Sequence, residues 1–142
     1  MADGRGQGLG GLAFALAWVR NPRRVGAIAP ASKALAQAIA GEVDRVGPEL
    51  LLEVGAGTGA ITQALAALGP PPERFFVIER DPGLVRHLRE RFPSAEVLHA
   101  CASRLDQLPL PPAASLMLVS SLPLMSMPRD EGRRCVNAML TL

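Results

Sequence analysis

The chain has 142 residues and a formal net charge of +2, with 49% hydrophobic and 20% charged residues. That suffices for one compact domain with its own core and excludes a disordered tail. Two cysteines, Cys101 and Cys135, and two histidines, His87 and His99, exclude a disulfide scaffold and a clustered metal site. The charge is uneven: residues 1–40 carry five basic residues against one acidic, and residues 41–142 carry ten against twelve. The basic character therefore belongs to the N-terminal segment, for which an anionic partner is expected.

The longest apolar stretch, Leu9 to Val19, has eleven residues and two glycines, well short of the roughly 20 that cross a bilayer. Arg5 ahead of it and Ala15-Leu16-Ala17 imitate a secretory leader, but Asp3 and the bulky Trp18 after the cleavage point argue against secretion. Residues 9–20 are expected to form a short apolar helix, closed by Asn21-Pro22 and the basic pair Arg23-Arg24. Trp18 and the arginines suit the interface of an anionic bilayer. The competing reading is a helix docked on the domain core with its arginines solvated. Residues 25–30 should be extended, because Pro30 disfavours helix at the residue before it. Ser32 then offers an N-cap to an amphipathic helix carrying Leu35, Ile39 and Val43 on one face.

From Glu49 onward, apolar strands alternate with helices. Leu50 to Val54 reads as a buried strand, and Ala60 to Leu68 as a helix stopped by Gly69 and three prolines. Phe75 to Ile78 is a second strand ending at Glu79. Asp81-Pro82 caps and opens a helix through Phe92, with Leu84, Val85 and Leu88 inward. Ala95 to His99 and Ser115 to Val119 are two further strands, and a last helix starts at Pro128 or Asp130. This alternation predicts an α/β domain with a parallel sheet and helices on both faces.

Between the first of these strands and its helix stands Gly55-Ala56-Gly57-Thr58-Gly59. Glycines at a strand-to-helix turn let the main chain approach a ligand with no Cβ in the way. Glu79 ends the next strand, where a carboxylate can accept hydrogen bonds from both hydroxyls of a ribose. Together these features point to an adenosine cofactor. A dinucleotide fingerprint could be read from Gly55 to Ala60. Glu53, two residues earlier, would repel a pyrophosphate yet suit the cationic methionine moiety of S-adenosylmethionine. It could equally cap nearby backbone N–H groups.

Glu53-Val54-Gly55-Ala56-Gly57-Thr58-Gly59 resembles motif I of class I S-adenosylmethionine-dependent methyltransferases, and Val77-Ile78-Glu79-Arg80-Asp81 resembles their second acidic motif. More narrowly, Trp18 to Pro30 is similar to the N-terminal signature of bacterial phospholipid N-methyltransferases, and Ser120-Ser121-Leu122-Pro123-Leu124 to their motif IV region. That resemblance implies successive N-methylation of phosphatidylethanolamine toward phosphatidylcholine, by a peripheral protein on the cytoplasmic face of the inner membrane. Carried over, Glu53, Gly55, Ala56, Gly57, Gly59, Glu79, Arg80, Cys101, Ala102 and Ser120 would bind the cofactor. Ile28, Pro30, Ser32, Lys33, Ser121, Leu122, Pro123 and Leu124 would line or close the substrate passage. Cys101 stands where the family usually has an Asp that contacts the adenine amino group, so weaker adenine binding is expected. No catalytic side chain and no metal ligand is assigned.

The same resemblance implies a Rossmann-like sheet of strand order 3-2-1-4 that normally continues with strands 5–7. On that pattern residues 25–142 form a C-terminally truncated methyltransferase domain, residues 1–24 a membrane-interface helix, and the fourth strand an exposed edge open to self-association. Three rivals remain. Ribosomal RNA adenine N-methyltransferases share motif I but stack an aromatic ring on the flipped base where this chain has Leu124, so nucleic acid is disfavoured. A non-catalytic fragment that binds cofactor or membrane is the second. An NAD-dependent oxidoreductase would need a second nucleotide-binding half that this length does not supply.

Overall fold

A computed structural model of the chain describes residues 31–142 and the backbone of Ala13–Leu16. The elements are β1 (Ala13–Leu16), α1 (Lys33–Val46), β2 (Leu50–Val54), α2 (Ala60–Ala66), β3 (Phe75–Glu79), α3 (Pro82–Arg91), β4 (Glu96–His99), β5 (Leu116–Ser120) and α4 (Arg129–Leu140). A 3-10 turn at Pro72–Arg74 and a 3-10 segment at Ala102–Gln107 complete them. The five strands form one parallel sheet in the order β1-β5-β2-β3-β4. Its four consecutive strands β4-β3-β2-β5 carry the expected 3-2-1-4 order, with β1 added outside β5.

β2 and β3 sit in the middle of the sheet, and every residue of both is buried. This explains their continuous apolar runs, since a strand covered on both faces has no solvent side. Leu51, Val77 and Val119 point to the layer formed by α1, α2 and α3, where Ile39, Leu65 and Leu88 meet them. Leu50, Leu52 and Val54 point the other way, onto α4 and the 3-10 segment, with Leu105, Cys135 and Met139. Ser32 caps α1 by accepting from the Leu35 N–H at 3.2 Å, and Asp81 caps α3 from the Leu84 N–H at 2.8 Å. Both caps are legible in the sequence. The helix expected to run to Leu68 ends at Ala66, and Leu68 is left exposed.

One expectation fails here. Residues 13–16, read as part of an N-terminal helix, are strand β1, parallel to β5 with Ala13 opposite Met117 and Leu16 opposite Ser120. The reason is tertiary: the open edge of β5 presents unpaired N–H and C=O groups that a strand satisfies and a helix does not. It follows that β5 is not a sheet edge, and that residues 13–16 belong to the same sheet as the rest. The remainder of the 1–24 segment lies outside the described residues. No helix among the described residues is long and apolar enough to cross a membrane.

Candidate cofactor and acceptor cleft

The carboxyl ends of β2, β3 and β5 open onto one cleft of about 440 Å³, within the range of small-molecule sites. A shallower groove of about 310 Å³ at the opposite end of the sheet, between Val43 and Arg74, holds none of the motif residues. The glycine loop forms the floor of the cleft. Its three glycines all take positive φ, 75° at Gly55, 58° at Gly57 and 91° at Gly59, but for different reasons. A Cβ on Gly57 would meet nothing within 4 Å among the described residues and would stand at the cleft wall. A Cβ on Gly59 would lie 2.5 Å from the Phe92 ring and 3.0 Å from Leu88, so this glycine lets α2 pack on α3. A Cβ on Gly55 would strike Leu122 at 2.8 Å; the close approach joins the glycine loop to the loop after β5.

Glu79 ties the site together. It is 7% exposed and accepts from the N–H groups of Gly57 at 2.9 Å, Arg80 at 2.8 Å and Asp81 at 3.0 Å. A carboxylate has about four lone-pair positions, so the side chain keeps some capacity for a hydroxyl donor from the cleft. Arg80 in turn reaches across the cleft to Glu131 on α4, N to O at 2.9 Å. Cys101 Sγ and Ser103 Oγ share a hydrogen bond of 3.2 Å. That contact, ahead of the lesser pull of the Arg80 charge, holds the Cys101 thiol below its ordinary range.

Beneath the floor, Glu53 is wholly buried. Among the described residues neither of its carboxyl oxygens has a hydrogen-bond partner, and neither does the buried hydroxyl of Thr62 on α2. Burial pushes the Glu53 carboxyl up to about 7, with the Glu79 charge adding to the rise; Thr62 opposes it without reaching good hydrogen-bond geometry. Ser121, on the cleft wall, also has a buried hydroxyl with no partner among the described residues.

Of the residues singled out from the sequence, Gly55, Ala56, Gly57, Glu79, Arg80, Cys101, Ala102, Ser121, Leu122 and Pro123 converge on the cleft. Glu53, Gly59 and Ser120 are buried behind it, and Ser120 Oγ accepts from the Leu122 N–H at 3.4 Å. Ser32 is spent on capping α1, and Lys33 is exposed at the first position of that helix. Leu124 is half-buried off the cleft lining, while Ile28 and Pro30 lie outside the described residues. The sequence reading missed Met127, Glu131 and Cys135, which form much of the opposite wall. Their spacing of four residues was the available signal, because it places Glu131 and Cys135 on one face of α4.

Residues 51–142 match the family described as a methyltransferase domain. Among curated proteins, the chain is 38% identical over 68 residues to an ornithine lipid N-methyltransferase of Singulisphaera acidiphila, covering 48% of this chain and 35% of that one. It is 36% identical over 64 residues to a ribosomal RNA small subunit methyltransferase A of Mycoplasmoides gallisepticum, covering 45% and 23% respectively. A Synechococcus protein of the latter name matches at 38% over 76 residues, or 54% of this chain and 26% of that one. The chain thus spans about a quarter to a third of the length of these relatives. Among solved structures, the sugar N-methyltransferase KedS8 from a Streptoalloteichus species shares the fold at a TM-score of 0.54 and 19% identity, over 77% of this chain and 42% of that one. The cleft fits the cofactor that the motifs imply: an open cradle at Gly57, a ribose-type acceptor at Glu79, and an orphaned carboxyl beneath a site for a cation. With most of its length matched, the chain belongs to the methyltransferase domain family, and its cofactor is S-adenosyl-L-methionine.

Proposed function

We propose that this chain carries the cofactor-binding part of an N-methyltransferase acting on the amine headgroup of a phospholipid, phosphatidylethanolamine on the way to phosphatidylcholine, at an anionic cytoplasmic membrane surface. The observation that carries the choice of acceptor is the wall facing the glycine loop. Ser121, Leu122, Pro123 and Met127 form it, and no aromatic ring lines the cleft among the described residues. A flipped base needs a ring to stack on; a small primary amine needs only a narrow, partly apolar passage. The similarity to an ornithine lipid N-methyltransferase supports the same reading.

When bound, the cofactor supplies an activated methyl group on a sulfonium. The chain's part is placement. Glu79 holds the Gly57 N–H and so fixes the glycine loop. Leu122, in contact range of Gly55, sets the distance between cofactor floor and acceptor wall. The Ser121 hydroxyl, without a partner among the described residues, can accept from the incoming amine. Orientation and exclusion of water then provide the acceleration, and no side chain is assigned as general base; the headgroup ammonium loses its proton to water before entering.

The test is methyl transfer from labelled S-adenosylmethionine to vesicles of phosphatidylethanolamine and phosphatidylglycerol, run beside ribosomal RNA. Labelled lipid is expected. Label in RNA, with binding that weakens steeply as salt rises, would favour the ribosomal RNA reading that the other relatives suggest. Cofactor binding with transfer to neither would leave a binding fragment without turnover.

A further inference from the structure

We infer that Glu53 is a neutral acid in the empty protein and that a cationic cofactor entering the cleft draws it into the carboxylate form, so that binding releases a proton. The inference rests on the reading of the cleft as an S-adenosylmethionine site and adds to it a charge relay through the wall.

The geometry makes the case. Glu53 is 0% exposed at the next-to-last position of β2, between Val77 of β3 and Val119 of β5. Its side chain lies on the face of the sheet that α1, α2 and α3 cover. From α2 only Thr62 faces it, and that helix carries no titratable residue. On α1, Lys33, Glu42, Asp44 and Arg45 are all exposed, as are Arg86, His87, Arg89, Glu90 and Arg91 on α3. From β3 the charge that reaches Glu53 is that of Glu79, and it is of the same sign. A carboxylate so buried, opposed only by Thr62 and with no well-formed hydrogen bond or countercharge among the described residues, is disfavoured in its ionised state; its titration accordingly lies near 7.

Yet Glu53 is only one residue behind the cleft. Val54 and Gly55, which follow it, line the cleft, as do Ala60 and Ile61, which precede Thr62. A sulfonium and an ammonium held on that floor would supply the countercharge that the described residues lack. The O–H bond of Glu53 then breaks, the proton leaves to solvent, and the carboxylate stays behind facing the cation. Because the neutral thioether product lacks the sulfonium, the same relay favours substrate cofactor over product.

Calorimetric titration with S-adenosylmethionine and S-adenosylhomocysteine, in buffers of different ionisation enthalpy, counts the proton. Close to one proton released per cofactor is expected at pH 6, with affinity rising about tenfold from pH 5.5 to 7. Glu53→Gln should release none and bind with little pH dependence in that range. Infrared difference spectra of the unmodified protein should lose a protonated-carboxyl stretch on adding cofactor, a readout that needs no variant to fold. Binding without proton release, or equal release by Glu53→Gln, overturns the inference while leaving the cofactor site standing. No binding by folded protein at any pH overturns both.

Discussion

Gly57 and Gly59 stand two residues apart in one motif, and the structure predicts opposite consequences for adding the same methyl group to each. In Gly59→Ala the new Cβ would sit 2.5 Å from the Phe92 ring and 3.0 Å from Leu88, two side chains that are 6% and 0% exposed. Left-handed backbone costs an L-residue about 1–2 kcal/mol, and the overpacked contact adds about 1–3 kcal/mol. At about 3–5 °C per kcal/mol for a domain of this size, the melting temperature should fall by roughly 10 °C. Gly57→Ala meets nothing within 4 Å among the described residues, so only the backbone term of about 1–2 kcal/mol remains. Its methyl group, however, enters the cleft, and cofactor affinity should drop at least tenfold. Thermal melts of both variants, paired with calorimetric titration of S-adenosylmethionine, separate the two. A Gly59→Ala protein that melts within 2 °C of the parent would refute the packing argument. A Gly57→Ala protein with parental affinity would refute the placement of the cofactor on this loop.

Glu79→Ala should strand three backbone N–H groups at a nearly buried position, costing about 2–4 kcal/mol in a denaturant melt and abolishing saturable cofactor binding. Cys101→Asp would put a carboxylate acceptor where the motif resemblance expects the adenine amino group, and should tighten cofactor binding by about 1 kcal/mol, roughly fivefold, by calorimetry. For Glu53 the sign follows from a folded value near 7 above an unfolded carboxyl near 4.3. Between those values the folded state binds the extra proton, so stability is fully present below about pH 4.3 and is lost as pH rises to 7. The loss should total about 3 kcal/mol, and urea melts of Glu53→Gln across the same window should lack that slope.

Much of the fold is written locally. Buried strands read as unbroken apolar runs at Leu50–Val54 and Phe75–Glu79, helices announce themselves through Ser32 and Asp81, and a glycine loop followed by an acid at the next strand end marks the cofactor side of the cleft. These signals survive because each depends on a residue's own backbone preference or on the period of its neighbours. What the local pattern could not carry is any decision made by a distant partner. Ala13–Leu16 has the composition of an apolar helix, but the open edge of β5 makes it a strand. Motif spelling does not separate Gly57 from Gly59; the nearness of Phe92 does. Glu79 looks from the sequence like a free ribose acceptor, and only the fold brings the Gly57 N–H, 22 residues away in the chain, onto it. Glu53 has the same identity whether it faces solvent or core. Packing α2 over β2 is what strips its carboxyl of water and leaves it no well-formed hydrogen bond among the described residues, and that burial, not the residue type, raises its pKa.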